Sequence, residues 1–253
     1  MRRIEREQRI LNLLGEEPQV SVGQFAKTLS VSEATVRREL QDMEERGALR
    51  RVHGGATLAG VHNEPLFTDK QTRNSDAKQG IAEAALALVS DNSSIYLDGG
   101  STVLTLAKIL HKRRNLTIVT NSLMAAASLM ETSHRLILVG GEFRSLSRTL
   151  VGPLTGPLIE SLHVDIAFMG TMGFSPEEGM TTTDPSEAFS KAAIMRRATR
   201  VVLLMHSSKF GRSALARSGT AADIHTLITE AADSDTTTRL TEAGIELIAL
   251  NKE

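Results

Sequence analysis

Residues 32–46 read SEATVRRELQDMEER. A helical repeat of 100° per residue puts Val36, Leu40 and Met43 on one face. Ala34, Arg38, Gln41 and Glu45 lie opposite, with Thr35 and Arg37 on the flanks. Ser32 suits the N-cap and Glu33 the first turn, and Gly47 stands where a left-handed residue would stop the helix. The stretch predicts a helix with one dry face, one face carrying adjacent arginines, and an N-terminus whose amides can meet a phosphate. Arginine's planar fork grips phosphate or pairs with guanine O6 and N7. Paired charges on a helix are nevertheless ordinary solvated surface in most proteins, so the neighbouring sequence has to decide.

Upstream, residues 3–14 predict a first helix with Ile4, Ile10, Leu11 and Leu14 inward, broken by Gly15-Glu-Glu-Pro18. Ser21-Val-Gly-Gln24 has capping-box spacing and starts a second helix through Leu29, with Val22, Phe25, Ala26 and Leu29 inward. Helix, tight turn and Arg helix together predict a helix-turn-helix, whose second member enters the major groove. Downstream, Leu49 and Val52 can pair with a strand returning from Gly54-Gly55. That is a small β-wing, with Arg50, Arg51 and His53 near a backbone phosphate. The alternative is that these helices and the hairpin serve only as an oligomerisation cap. His53 has no second ligand at metal spacing.

The whole chain sets the outer bounds. Its 253 residues are 41% hydrophobic but only 3% aromatic, without Trp, so the core must be aliphatic. There is no Cys, which removes disulfides, thiolate catalysis and Cys-ligated zinc and fits a cytoplasmic location. No apolar run approaches the roughly 18 residues of a membrane span. The stretch MRRIEREQRI mixes both charge signs, unlike a signal peptide. Net charge is −1. Residues 1–60 carry 10 Lys and Arg against 9 Asp and Glu, so DNA binding has to come from a local surface.

Thr35-Val36-Arg37-Arg38, followed by Leu40, resembles the helix-turn-helix signature of the DeoR family of bacterial transcriptional regulators. Arg50-Arg51-Val52-His53-Gly54-Gly55-Ala56 is similar to that family's wing. Glu39 stands where the family usually has Asp and keeps the charge. The resemblance implies a winged helix-turn-helix over 1–57 that contacts operator DNA through Ser32, Ala34, Thr35, Arg37, Arg38, Gln41, Arg50, Arg51 and His53.

Residues 58–75, with Asn63-Glu-Pro65, read as a connector, and 76–253 as a second domain opening on a helix from Asp76 to Val89. There, short aliphatic runs alternate with polar or glycine loops and helical stretches. Ile95–Leu97 leads into Asp98-Gly-Gly-Ser-Thr102, Leu116–Val119 into Thr120-Asn-Ser122, Leu136–Val139 into Gly140-Gly-Glu142, Ile166–Met169 into Gly170, and Val201–Met205 into His206-Ser-Ser-Lys209. Leu227-Ile228 and Ile245–Leu250 follow. This is the pattern of an α/β domain with a mostly parallel sheet covered on both faces. Ligands of such sheets bind at the strands' C-terminal ends. That edge holds Asp98, Gly99, Ser101, Thr102, Thr120, Asn121, Ser122, Gly140, Gly141, Glu142, Gly170 and Lys209, a set suited to a small polyhydroxy anion. Each loop singly has a plain reading as a turn or cap. Asp184-Pro-Ser-Glu187 is a strong helix start. With Thr181, Thr182 and Lys191 around it, it reads either as that cap or as a lid over the crevice.

These loops, with Val151-Gly-Pro153, Glu187 and Ser207–Gly211, look like the sensor domain of the DeoR family, similar in fold to sugar-phosphate isomerases and CoA-transferases. The resemblance implies a phosphorylated sugar or polyol as effector, a homo-oligomer (dimer or tetramer), and a repressor of carbohydrate utilisation. It implies no catalytic residue, cofactor or metal. Met172, His206 and Glu230 depart from the family pattern, the first two at the crevice rim. A competing reading is a sugar-phosphate isomerase or deaminase-like enzyme using Asp98, Glu142, Glu187, His206 and Lys209 for acid–base chemistry, with an accessory DNA-binding module.

Overall fold

The computed structural model describes residues 3–17, 19–45, 48–52, 54–58, 64–65 and 67–250. Gly47, His53 and part of the 58–75 connector lie outside the described residues. Two compact units divide the chain, residues 1–63 and 64–253. The second domain therefore begins inside the stretch read as a connector.

The first unit holds α1 (Arg3–Glu16), β1 (Val20–Ser21), α2 (Val22–Leu29), α3 (Glu33–Glu45), β2 (Leu49–Val52) and β3 (Gly55–Leu58). Its core joins Ile10, Leu14, Phe25, Leu29, Val36, Leu40, Met43 and Leu49. α1 runs two residues past the expected end and stops at Glu16, because the residue before a proline, Glu17, is pushed out of the helical region. Only half of the expected capping box forms. Ser21 Oγ accepts from Gln24 N at 3.1 Å, but the Gln24 amide turns to Glu17 at 2.9 Å instead. The Ser21 backbone is occupied as a strand, because β1 pairs with β3. β2 and β3 form the expected hairpin, with Val52 opposite Gly55.

The second unit begins with α4 (Phe67–Thr72), which was not expected, and α5 (Ser75–Ala87). Four strands and two helices follow in alternation: β4 (Ser94–Leu97), α6 (Ser101–Ile109), β5 (Thr117–Thr120), α7 (Leu123–Leu129), β6 (Arg135–Leu138) and β7 (Glu142–Arg144). Then come β8 (Thr149–Val151), α8 (Gly156–Glu160), β9 (Val164–Met169), β10 (Gly173–Ser175), β11 (Gly179–Thr182), α9 (Pro185–Met195), β12 (Ala198–Leu204), β13 (Ala216–Gly219), β14 (Thr226–Thr229), α10 (Ser234–Glu242) and β15 (Glu246–Ala249). The seven expected runs form one parallel sheet in the order β15-β14-β12-β9-β4-β5-β6. Strands buried on both faces need near-continuous apolar sequence, which is why these runs stood out. Two cores cover the faces, one around Ile81, Leu97, Val103, Phe168 and Leu204, the other around Tyr96, Met169, Ile194 and Leu203.

Two antiparallel pieces were not expected, the β7–β8 hairpin and the sheet β10-β11-β13. Thr181 and Thr182 lie on β11 and are buried, so they belong to a strand and not to a surface lid. Among the described residues no helix is long and apolar enough to cross a membrane.

Candidate DNA-binding face and sensing crevice

α3 separates its faces as the periodicity demands. Val36, Leu40 and Met43 are buried, while Ala34, Arg37 and Arg38 are exposed. Ser32 Oγ accepts from Thr35 N at 3.2 Å and lies 2.9 Å from the Thr35 hydroxyl, so both hydroxyls serve the helix start. Arg37 pairs with Glu33 at 2.6 Å, with both side chains more than half exposed. Such a surface pair contributes only tenths of a kcal/mol, and an incoming phosphate can displace it. Among the described residues Arg38 has no hydrogen-bond or ion-pair partner.

The wing is laced to this helix. The Arg51 guanidinium donates to Gln41 Oε1, and Arg51 N donates to Glu44 at 2.8 Å. Arg50 is half-buried beside it. Glu39 is buried and accepts from Arg6 Nε at 3.0 and 3.1 Å. The carboxylate that departs from the family's Asp thus fixes α1 on α3.

In the second unit, strand order reverses between β4 and β9, since β5 and β6 lie to one side and β12, β14 and β15 to the other. Ligands of open α/β sheets bind at such a switch point. Asp98 leaves β4 there and Gly170 leaves β9, and Gly170 N donates to Asp98 Oδ2 at 2.9 Å. Lys191, on α9, donates to the same carboxylate and to Gly170 O at 3.0 Å. Glu187, one turn earlier, stands 3.4 Å from the ammonium. Asp98, Gly170, Glu187 and Lys191 are therefore brought together. Burial pushes Lys191 down, but Asp98 and Glu187 outweigh it and hold the ammonium above the usual lysine range. Burial raises Glu187, against the pull of Lys191.

Beside this cluster, Gly100 takes φ 126° and starts α6 with no side-chain cap. The first amides of α6, at Ser101 and Thr102, therefore receive no side-chain acceptor from the cap residue. Gly99 is sterically required, because a Cβ there would lie 2.2 Å from Thr149 Cγ2.

Other expected residues serve local structure. Thr120 Oγ1 donates to Leu97 O at 2.6 Å and accepts from Ser122 N at 3.0 Å. Ser122 Oγ caps α7 through Ala125 N at 3.2 Å. Thr181 Oγ1 donates to Gly173 O at 3.1 Å and accepts from Ala214 N at 3.0 Å. Asn121 Nδ2 donates to Leu150 O at 3.0 Å, while Asn121 Oδ1 and Thr182 Oγ1 are buried without a hydrogen-bond partner among the described residues. Gly141 packs against β8, and Gly140 and Glu142 are exposed. Asp184 caps α9 through Glu187 N at 2.9 Å, which is the plain reading of that motif. Lys209 lies in a turn after β12. His206 Nδ1 accepts from Ser208 N at 3.1 Å in that turn, and its Nε2 faces Glu230 at 3.2 Å. Glu230 also accepts from Ser207 N. Two departures from the family pattern thus pair with each other, and Met172 N bonds Thr181 O at 3.0 Å.

The sequence reading missed Arg144. It is largely buried, 2.7 Å from Glu64 and 3.3 Å from each of Asp184 and Glu187. It also donates to Thr183 Oγ1 at 3.1 Å. Glu64 in turn holds Lys70 at 2.5 Å. The available signal was a cation two residues beyond the Gly140-Gly-Glu142 turn.

Comparison with known proteins decides what frame these sites belong to. Residues 6–60 match the model of the DeoR-like helix-turn-helix domain, and residues 73–231 that of the DeoR C terminal sensor domain. The chain belongs to the DeoR family. This DeoR-family chain is 38% identical over 230 residues to the HTH-type transcriptional regulator GolR of Listeria innocua, covering 89% of the one and 90% of the other. It is 30% identical to the glycerol-3-phosphate regulon repressor of Escherichia coli, over 91% and 92%. It is 31% identical to the lactose phosphotransferase system repressor of Streptococcus mutans, over 96% and 98%. Among solved structures, ribose 5-phosphate isomerase A from Neisseria gonorrhoeae is similar over 58% of this chain and 57% of that one, at 17% identity and a TM-score of 0.43. The α3 face and the switch-point cluster therefore sit in the two halves of a DNA-binding transcriptional regulator of the DeoR family.

Proposed function

We propose that this regulator represses a carbohydrate-utilisation operon and releases its operator when a phosphorylated sugar or polyol binds at the C-terminal ends of β4 and β9. The observation that carries the reading is the uncapped N-terminus of α6 beside the buried Asp98–Lys191 pair. The α6 amides at Ser101 and Thr102 take the phosphate. Asp98 and Glu187 accept from sugar hydroxyls, and Lys191 supplies the positive charge. The roles for which the relatives are named, repressors of a glycerol-3-phosphate regulon and of a lactose phosphotransferase system, support this ligand class. Arg37, Arg38 and the wing contact DNA, and a homo-oligomer places them on repeated half-sites.

The test is fluorescence anisotropy on DNA from upstream of the protein's own gene, titrated with a panel of phosphorylated sugars and polyols. Tight, salt-sensitive binding released by one compound supports the reading and names the effector. Binding indifferent to the whole panel overturns the ligand class. Asp98→Asn should abolish release while operator binding is retained. Turnover of ribose 5-phosphate or glucosamine 6-phosphate above background would favour an enzyme instead.

A further inference from the structure

Six acidic and basic side chains of the second unit stand in a line, acid and base alternating. Asp98 holds Lys191, Lys191 reaches Glu187 at 3.4 Å, and Glu187 reaches Arg144 at 3.3 Å. Arg144 binds Glu64 at 2.7 Å, and Glu64 holds Lys70 at 2.5 Å. All six are largely buried, so the couplings are poorly screened. Every inner member is shared by at least two neighbours of opposite charge, and Arg144 also stands 3.3 Å from Asp184 at the edge of the line. A charge that loses one partner leans harder on the other.

The line begins in the crevice and ends at the first residues of the unit, directly after the DNA-binding unit in sequence. The segment there is held by buried charge on both sides. Glu64 anchors Lys70, and the Lys78 ammonium donates to the carbonyls of Lys70 and Arg73. Phe67 is buried in the core, with the Arg148 guanidinium 5.6 Å from its ring. One joint in the line has slack. Among the described residues Arg144 Nη1 and Glu187 Oε2 are both buried without a hydrogen bond, although they stand 3.3 Å apart. That joint can close into a hydrogen bond if Glu187 is released from its other partner.

We infer that Glu187, Arg144 and Glu64 are coupling residues that carry the state of the crevice to the 64–73 segment. An anionic ligand that draws Lys191 away leaves Glu187 to Arg144, weakens the grip of Arg144 on Glu64, and loosens the segment leading from the DNA-binding unit. The mechanism rests on the crevice being the sensing site, but the charges can be changed without a ligand. The operator titration with the phosphorylated panel tests that sensing role separately.

Hydrogen exchange on the full chain, without ligand, tests the coupling. Lys191→Gln mimics withdrawal of the ammonium, and amides of residues 67–73 should exchange several-fold faster. Asp98→Asn keeps an acceptor for Gly170 N and leaves Lys191 to Glu187. That slackens Glu187 on Arg144 and tightens Arg144 on Glu64, so the same amides should exchange more slowly. A merely structural role would loosen the segment in both variants. In a Glu64→Gln background the two substitutions should no longer change exchange there. Equal rates in Asp98→Asn and the parent, or shifts of one sign in both variants, would overturn the coupling. If Lys191→Gln loses protection across β12 and β14 as well, Asp98→Asn decides alone: slower exchange supports the coupling, and unchanged or faster exchange overturns it.

Discussion

At the residue scale, the two units use charge in opposite ways. Arg38 is exposed and unpartnered among the described residues, so its fork is available to a base edge at no cost to the fold. Arg38→Ala should weaken specific operator binding by about 1–3 kcal/mol if the contact is bidentate, with the melting temperature unchanged. An unchanged affinity in the anisotropy titration would remove Arg38 from the reading face. Glu64 is the reverse case, a buried carboxylate whose charge is committed internally. Burial alone would raise it, but Lys70 and the Arg144 and Thr183 hydrogen bonds bring it down from 4.5 to about 2. The sign follows from linkage. A carboxyl depressed in the folded state stabilises above its unfolded value, and that stability is lost as pH falls from about 4.5 towards 2. Against Glu64→Gln, the parent should hold a constant stability difference from pH 7 to 5. Across the acid window it should lose roughly 3 kcal/mol of that difference. Denaturant unfolding of both proteins at stepped pH measures it, and parallel curves throughout would show Glu64 unperturbed.

At the element scale, the sequence revealed what depends on period and missed what depends on partners. The seven parallel strands announced themselves as unbroken aliphatic runs, which burial on both faces demands of the five inner ones, while the edge strands β6 and β15 stay partly exposed. α3 was readable because Val36, Leu40 and Met43 repeat at helical spacing over a core. β7, β8 and β10 have three residues each, too few to show alternation. Thr120, Ser122 and Thr181 read as ligand hydroxyls, and the local bonds that each also makes could not be read, because a hydroxyl's use in a cap or a strand is set by its surroundings and not by its identity. Arg144 and Glu64, 80 positions apart in sequence, left no local pattern to find. The same logic sets the cost of damage to α3. Leu40→Ala should cost about 2–5 kcal/mol, falling on the DNA-binding unit, whose core is separate from the two cores of the sensor. Calorimetry should show one transition lowered, and operator binding should fall with it. A uniform shift of all unfolding would mean the two units melt as one.

At the scale of the whole molecule, a chain of net charge −1 has no bulk attraction to a polyanion, so affinity must come from the few cations gathered on α3 and the wing. Each phosphate neutralised by such a cation releases counterions, and log K falls with log salt with a slope of about −0.9 per contact. One module offers few contacts and reads few bases. On the proposed homo-oligomer, the slope measured on the operator should exceed what one module's cations can supply. A footprint should show repeated half-sites with centres about 10–10.5 base pairs apart or at multiples of that spacing. Light scattering at the same protein concentration should give a multiple of the chain mass. Arg37→Ala, at the position proposed to contact a phosphate, should reduce the slope by about one unit per module and weaken specific and nonspecific DNA alike. A shallow slope, a single protected site and a monomeric mass would together mean that one copy suffices, and the oligomer would have no part in recognition.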